Sequence, residues 1–161
     1  MSPEATLEKI WIKRAKSGPM DPVRRAVALA GCGLEGNANQ GGKRQVTLLA
    51  TDAWQEAADE LGLPVDPALR RANLLVSGID LAESRGRVLE VGPVTIRIWG
   101  ETRPCRQMEE SQAGLQEALS SHWRGGAYGE IETGGEISVG DRVRWLPESS
   151  NHSRPLPAGG S

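Results

Sequence analysis

Apolar residues recur at every second position in several short stretches of the chain. In 94–99, Val94, Ile96 and Ile98 alternate with other residues, which is the period typical of a half-buried strand. Gly100 follows this run and is expected to end the strand. The sequence therefore predicts a strand over 94–99.

Further runs of the same kind predict other strands and two hairpins. One hairpin pairs 88–91 with 94–99 around Gly92-Pro93, and a closing hairpin pairs 136–139 with 142–145 around Gly140-Asp141. Single strands are predicted at 7–13, 44–49 and 74–76.

Two stretches have helical periodicity instead. Apolar residues at i, i+3, i+4 and i+7 form the first stripe, namely Trp54, Ala57, Ala58 and Leu61. This stripe predicts a helix over 52–61 that Thr51 or Asp52 caps and Gly62 ends. A second stripe predicts a helix over 112–123.

The predicted elements indicate one mainly β domain. About seven or eight short strands and two helices, without regular strand-helix alternation, favour a β-barrel with peripheral helices. The chain has 161 residues, which suits a single domain, here predicted over 1–146. Residues 147–161 are mostly Pro, Ser, Asn and Gly, so a disordered tail is expected there.

Charge and hydropathy narrow the expected partners and compartment. The 19 basic and 21 acidic residues leave a net charge of -2, which disfavours nucleic acid as the main partner. No run approaches the roughly 18 apolar residues of a membrane span, and no signal peptide is recognised, so a cytoplasmic protein without membrane contact is expected. Cys32 and Cys105 are the only cysteines and are expected to be free thiols.

Residues 31–36 match the dinucleotide fingerprint G-x-G-x-x-G, but their context does not fit it. That fingerprint must open a helix, whereas 37–42 is rich in Asn and Gly, which are poor helix formers. A dinucleotide site is therefore not expected.

Cys105 is the candidate for nucleophilic or metal-binding chemistry. Pro104 restricts the backbone before it, and Arg103 and Arg106 favour thiolate, the form that attacks sulfur or ligates a soft metal. Free cysteines are also among the most often buried residues, so an inert thiol is the alternative.

Several short motifs follow one another in a fixed order along the chain. They are Gly33-Leu34-Glu35-Gly36, 44–49, Arg71-Ala72-Asn73, Gly78-Ile79-Asp80-Leu81, Pro104-Cys105, Gly135-Glu136-Ile137 and Val139-Gly140-Asp141. In this order they resemble the MOSC domain, the C-terminal module of molybdenum cofactor sulfurases, which also occurs as stand-alone bacterial proteins. The similarity runs from about Val27 to Trp145.

The resemblance implies a closed or partly closed barrel like that of pyruvate kinase, and a molybdenum cofactor (molybdopterin) as ligand. It implies that Cys105 carries sulfur or ligates molybdenum held by the pterin dithiolene. The cofactor-binding residues that it implies are Arg44, Gln45, Arg71, Asn73 and Arg103, with Arg71 and Asn73 at the pterin or its phosphate.

The chain departs from the family pattern after Gly36. The family usually places an aspartate and then a histidine there, whereas this chain has Asn37-Ala38-Asn39-Gln40. It also lacks the lyase domain that binds pyridoxal phosphate in full sulfurases, so that cofactor is expected on a partner.

Three functions agree with these features. The first is a sulfur carrier or molybdenum-cofactor-binding domain that works with a cysteine desulfurase or a molybdoenzyme. The second is a cofactor-dependent reductase of N-hydroxylated compounds that takes electrons from an electron-transfer partner. The third is a non-catalytic binding module that keeps the fold, which Asn37 and the missing histidine motivate.

Overall fold

Eleven strands and three α-helices make up the part of the chain that the structure, a computed structural model, describes: residues 5–16, 18–103 and 106–147. The first strands are β1 Thr6–Lys13, β2 Met20–Val23, β3 Arg25–Leu29, β4 Gly33–Leu34, β5 Val46–Ala50 and β6 Leu74–Ser77. The later strands are β7 Val88–Val91, β8 Val94–Glu101, β9 Ala127–Thr133, β10 Gly135–Ser138 and β11 Val143–Trp145. The helices are α1 Thr51–Leu61, α2 Arg106–Ser111 and α3 Leu115–Ala118, and a 3₁₀ helix spans Pro67–Arg70.

Two sheets share the strands. The larger has eight strands in the order β11-β7-β8-β9-β5-β6-β1-β2, and the smaller has three in the order β10-β3-β4. Among the described strands, only β5 and β6 pair in parallel, and α1 and the 3₁₀ helix form the crossover between them. Because β1 pairs with β6 in the opposite sense, the end of β1 meets the starts of β5 and β6 at one edge of the sheet.

The mainly β class is confirmed, but the structure does not show the predicted barrel. Among the described residues, hydrogen bonds do not close either sheet on itself. The edge strands of the large sheet are β11 and β2, and those of the small sheet are β10 and β4. Beside the edge strand β11, Thr6 of β1 makes one isolated bridge, to Arg142. One bridge does not continue a ladder.

The core has two parts on opposite faces of the large sheet. One lies between the sheets and includes Leu48, Leu74 and Ile98, all fully buried. The other lies under the helices, where Trp54, Leu115 and residues around them pack on the sheet.

The first helix agrees with its predicted range, whereas its predicted cap does not. Trp54, Ala57 and Ala58 are buried, and the helix ends at Gly62 with φ 73°. The residue at the N-cap is Ala50, however, and no side chain caps the helix. Thr51 already lies inside the first turn, so neither Thr51 nor Asp52 is the cap.

The helix predicted over 112–123 is much shorter in the structure: only α3, Leu115–Ala118, lies in this range, and α2 ends before it. The apolar stripe is buried at Leu115, Ala118 and Leu119, but α2 and α3 are separate short helices. Gly114 lies between them at φ 85°, a left-handed conformation that stops a right-handed helix. Three helices therefore replace the two expected ones.

The hairpin of β7 and β8 is confirmed, but the predicted closing hairpin is wrong. The turn at 138–141 forms, with the Asp141 N–H donating to the Ser138 carbonyl. Beyond the turn, β10 pairs with β3 and β11 pairs with β7, so the two strands enter different sheets.

Other expectations have different outcomes. At the G-x-G-x-x-G stretch, which is described throughout, Gly33–Leu34 is a short strand and no helix begins. Cys105 and all of the predicted tail except Pro147 lie outside the described residues. No described helix is long and apolar enough to cross a membrane.

Candidate functional site

A polar cleft lies where the end of β1 meets the starts of β5 and β6. Its volume is about 320 Å³. Its lining residues are Lys13, Asn39, Arg44, Thr47, Arg71 and Asn73. Three segments that are far apart in sequence therefore supply one site, because their strand ends share one edge of the sheet.

Lys13, Arg44 and Arg71 give this cleft, which we call the cationic cleft, its positive charge. Arg71 donates to the Gly18 carbonyl at 2.6 Å, and the Arg44 guanidinium lies 5.4 Å from the centre of the Tyr128 ring. In the described parts of the chain, no carboxylate forms an ion pair with any of the three cations.

The Lys13 ammonium responds to this environment. Burial lowers the pKa of Lys13, and the positive charges of Arg71, Arg44 and Lys16 lower it further. Protonated Lys13 therefore lowers the free energy of unfolding, and this destabilisation is relieved as pH rises through the lowered pKa. An anion in the cleft would relieve the same repulsion.

Arg71 has an unusual backbone conformation at this site. Its φ is 61°, in the left-handed region that side chains other than Gly, Asn and Asp seldom adopt. It ends the 3₁₀ helix, with its N–H bonded to the Ala68 carbonyl. Strain of this kind costs about 1–3 kcal/mol and clusters at functional sites.

A larger cavity of about 540 Å³ lies at the opposite ends of β5 and β6. Its lining includes Asp52, Glu56 and Arg124. Arg124 is ion-paired with Glu56 at 3.3 Å and with Glu60 at 2.7 Å, so carboxylates compensate its charge. The cationic cleft differs from this cavity because its cations have no such carboxylate partners among the residues that the structure describes.

Arg70 links the cleft to the strand end that precedes Cys105. Its Nη2 donates to the carbonyls of Thr102 at 2.9 Å and Arg103 at 3.1 Å, and its Nε donates to Gly125 at 2.8 Å. The next residue, Arg71, lines the cleft. After Cys105, α2 packs against the same 3₁₀ helix. The 3₁₀ helix and Arg71 after it therefore contact the cleft, the end of the chain segment before Cys105 and the helix α2 after it.

Comparison with known proteins identifies the family. The MOSC domain model matches residues 35–144, which is more than half of the chain. The chain belongs to the MOSC domain family. A search of curated proteins found no match.

Solved structures similar to this MOSC domain share its fold at low identity. The YuaD protein from Bacillus subtilis is 21% identical with a TM-score of 0.73, covering 88% of this chain and 94% of that one. YiiM from Geobacillus stearothermophilus is 16% identical with a TM-score of 0.68, covering 88% and 75%. YiiM from Escherichia coli is 16% identical with a TM-score of 0.66, covering 89% and 70%.

Of the five residues predicted to bind the cofactor, the MOSC fold brings three together in the cleft. Arg44, Arg71 and Asn73 line it, whereas Gln45 and Arg103 do not. Arg103 is exposed, and Gln45 is only 2% exposed, with its side chain bonded to the Gly42 carbonyl and the Ile131 N–H. Their cofactor contacts, like that of Cys105, stay predictions.

Asn73 holds the cleft together by hydrogen bonds. Its Oδ1 accepts from the Thr47 N–H at 3.1 Å, and its Nδ2 donates to the Trp11 carbonyl and to Asn37 Oδ1, both at 3.1 Å. The side chain thereby connects β5, β1 and the loop after β4. A structural role for Asn73 follows from these bonds.

Sequence reasoning did not find Lys13 or Arg70. Lys13 precedes the residues that the family model matches, and only the pairing of β1 with β6 brings it to the cleft. Arg70 stands beside Arg71, but its carbonyl partners lie 32 or more residues away. Neither role has a local sequence signal.

Asn73→Ala is expected to lower the free energy of unfolding by about 3 kcal/mol, because it leaves several buried polar groups without partners. Urea unfolding measures this change. The control is Asn39→Ala, which removes a cleft residue without a described side-chain hydrogen bond and should cost less than about 0.5 kcal/mol. Equal costs for the two variants would contradict the structural role of Asn73.

Arg70→Lys is expected to destabilise the protein by about 1–2 kcal/mol, because an ammonium cannot span carbonyls as a guanidinium fork does. The Thr102 N–H, which is bonded to the Gly126 carbonyl, should then exchange faster with solvent. Hydrogen exchange followed by NMR tests this, with the exposed Arg85→Lys as control. Unchanged exchange at Thr102 would show that Arg70 does not hold this strand end.

Proposed function

We propose that this MOSC domain binds the molybdenum cofactor and uses Cys105 as sulfur carrier or molybdenum ligand, together with partner proteins. The observation that carries the proposal is the cationic cleft, where Lys13, Arg44 and Arg71 lie together without carboxylate partners among the described residues. Such a cleft suits the phosphate of a pterin cofactor.

The donor set fits a phosphate better than a neutral ligand. A guanidinium presents paired N–H groups that match two phosphate oxygens, and an ammonium adds a compact positive charge. Arg44 and Arg71 approach from the starts of neighbouring strands, so a bound anion would be held from two sides. Burial and the positive charges of Arg71, Arg44 and Lys16 lower the pKa of Lys13, and a bound anion would offset these charges.

Cys105 is proposed to act at the other end of the cofactor. Arg103 and Arg106 beside it in sequence favour its thiolate, a soft ligand that suits molybdenum and a nucleophile that accepts sulfur. When bound, the cofactor would supply a molybdenum atom held by dithiolene sulfurs. The turn with Arg70 and Arg71 supports the pairing of cleft and thiol, because it contacts both the cleft and the carbonyls of Thr102 and Arg103.

The partners follow from what the proposed chemistry requires. A sulfur carrier receives sulfur from a cysteine desulfurase, which supplies its own pyridoxal phosphate, and passes it to a molybdoenzyme. An electron-transfer partner would be needed if the bound cofactor carries out a reduction.

Molybdenum and pterin analysis of the protein purified from a host that makes the cofactor tests the proposal. We expect both in comparable amounts, or a persulfide on Cys105 after incubation with a cysteine desulfurase and cysteine. Neither cofactor nor persulfide in the wild-type protein would contradict the proposed function.

A further inference from the structure

Asn37 lies beside the cationic cleft, and only half of its amide is used. The side chain is 5% exposed, and its Oδ1 accepts from the Lys13 N–H at 2.9 Å and from Asn73 Nδ2 at 3.1 Å. Its Nδ2 is buried without a hydrogen-bond partner among the described residues. Both donors to Oδ1 belong to residues that line the cleft.

The orientation of the Asn37 amide follows from its neighbours. The Thr47 N–H must meet an oxygen of Asn73, so Asn73 Nδ2 faces Asn37 as a donor. The Lys13 N–H faces Asn37 as a second donor. Asn37 therefore has to present its oxygen to both, and its Nδ2 is the group left without a partner.

Hydrogen bonding alone does not decide between an amide and a carboxylate at this position. An aspartate has nearly the same shape and would accept both bonds, and its second oxygen would replace Nδ2 as the buried group without a described partner. The remaining difference between the two residues is charge. An aspartate would place a negative charge at the Lys13 N–H, whereas asparagine adds no charge beside the three cations of the cleft.

We propose that Asn37 is a specificity-determining residue, whose neutral amide keeps the full positive charge of the cleft and thereby selects dianions, such as a phosphate monoester or sulfate, over monoanions. The inference rests on the proposed anion site. It adds the charge class of the ligand and the residue that sets this class.

The physical basis is that Coulomb energy is proportional to the charge of the ligand. Each unit of positive charge kept in the cleft favours a dianion about twice as strongly, in free energy, as a monoanion of similar size. A negative charge at position 37 would remove this advantage. The fold-loss in affinity for a dianion should be close to the square of the fold-loss for a monoanion.

The test is an NMR titration of the full-length wild-type protein, Asn37→Asp and Asn37→Ser with sulfate and with methyl sulfate at pH 7 and constant low ionic strength. These anions carry fixed charges of two and one. Asn37→Ser changes the side chain without adding charge. Gln55→Glu, on the exposed face of α1 outside the cleft, adds the same charge elsewhere.

For Asn37→Asp we expect sulfate to bind about 10-fold and methyl sulfate about 3-fold more weakly, and the pKa of Lys13 to rise. Asn37→Ser and Gln55→Glu should bind both anions within about 2-fold of wild type, because neither changes the charge near the cleft. If the role of Asn37 were purely structural, Asn37→Ser and Asn37→Asp would both bind anions more weakly, and the loss of affinity would be the same for sulfate and methyl sulfate.

If the wild-type protein binds sulfate and Asn37→Asp binds it with the same affinity, the inference is overturned, whereas the anion site still stands. An Asn37→Asp protein that does not fold would also overturn it, because the amide would then be needed for folding. Wild-type protein that binds neither anion would overturn the anion site itself, and the inference with it.

Discussion

Cys105→Ser is expected to abolish loading with sulfur or molybdenum, whereas Cys32→Ser leaves loading unchanged. Two arginines flank Cys105 in sequence, and two unit charges 4 Å apart interact by about 4 kcal/mol at an effective dielectric near 20. One well-placed guanidinium can thus lower the pKa of this thiol substantially. Cys32 is exposed between Gly31 and Gly33 and has no basic residue beside it.

Alkylation rates measured below neutral pH separate the two thiols before any cofactor is supplied. We expect Cys105 to react first, because thiolate is the reactive form. Since Cys32 is exposed, a slow reaction there is not caused by a blocked thiol. Rates taken with and without mild denaturant control for burial of Cys105. Equal rates, or a faster Cys32, would contradict the proposed role of Cys105.

The double variant Arg44→Met, Arg71→Met is expected to lower the affinity of the cleft for inorganic phosphate by about 100-fold or more. Hydrogen bonds to charged groups contribute about 1.5–3 kcal/mol each, and 1.4 kcal/mol is a factor of ten in affinity. Burial and the positive charges of Arg71, Arg44 and Lys16 lower the pKa of Lys13, so removing two of these charges should raise this pKa.

Calorimetric titration with phosphate, repeated at increasing salt, measures this effect. The matched control is a second double variant, Arg24→Met with Arg85→Met, which removes two exposed arginines outside the cleft. The control should keep the wild-type affinity and its decrease with salt. A control that loses as much affinity as the cleft variant would mean that net charge, and not the cleft, binds the anion.

Local patterns were sufficient for the elements whose partners are near in sequence. The hairpin of β7 and β8 and the helix at 51–61 follow from alternation, a turn pair and a single apolar stripe. The closing hairpin was wrong because strand partners are chosen over the whole chain, and β10 and β11 each pair with a strand far away in sequence. The second predicted helix begins late, at Leu115, because Gly114 before it is left-handed.

In the candidate site, too, some residues could be predicted from local sequence and others depend on pairing between distant strands. Arg44 and Arg71 belong to family motifs, and the fold brings both to one cleft. Lys13 comes from β1, and its position depends on the pairing of β1 with β6. The roles of Gln45 and Asn73 in hydrogen bonding cannot be predicted from residue type, because an amide serves equally well as a ligand contact or as a buried link between strands.

Native mass spectrometry tests most directly whether one cofactor bridges the cationic cleft and Cys105. Protein from a cofactor-producing host should carry a molybdenum-pterin adduct as wild type. The adduct should be absent from the double variant Arg44→Met, Arg71→Met. In Cys105→Ser the molybdenum or the sulfur of the adduct should be missing. An adduct that survives unchanged in both variants, or a wild-type protein found only at the mass of the bare chain, also after incubation with a cysteine desulfurase, would contradict the account.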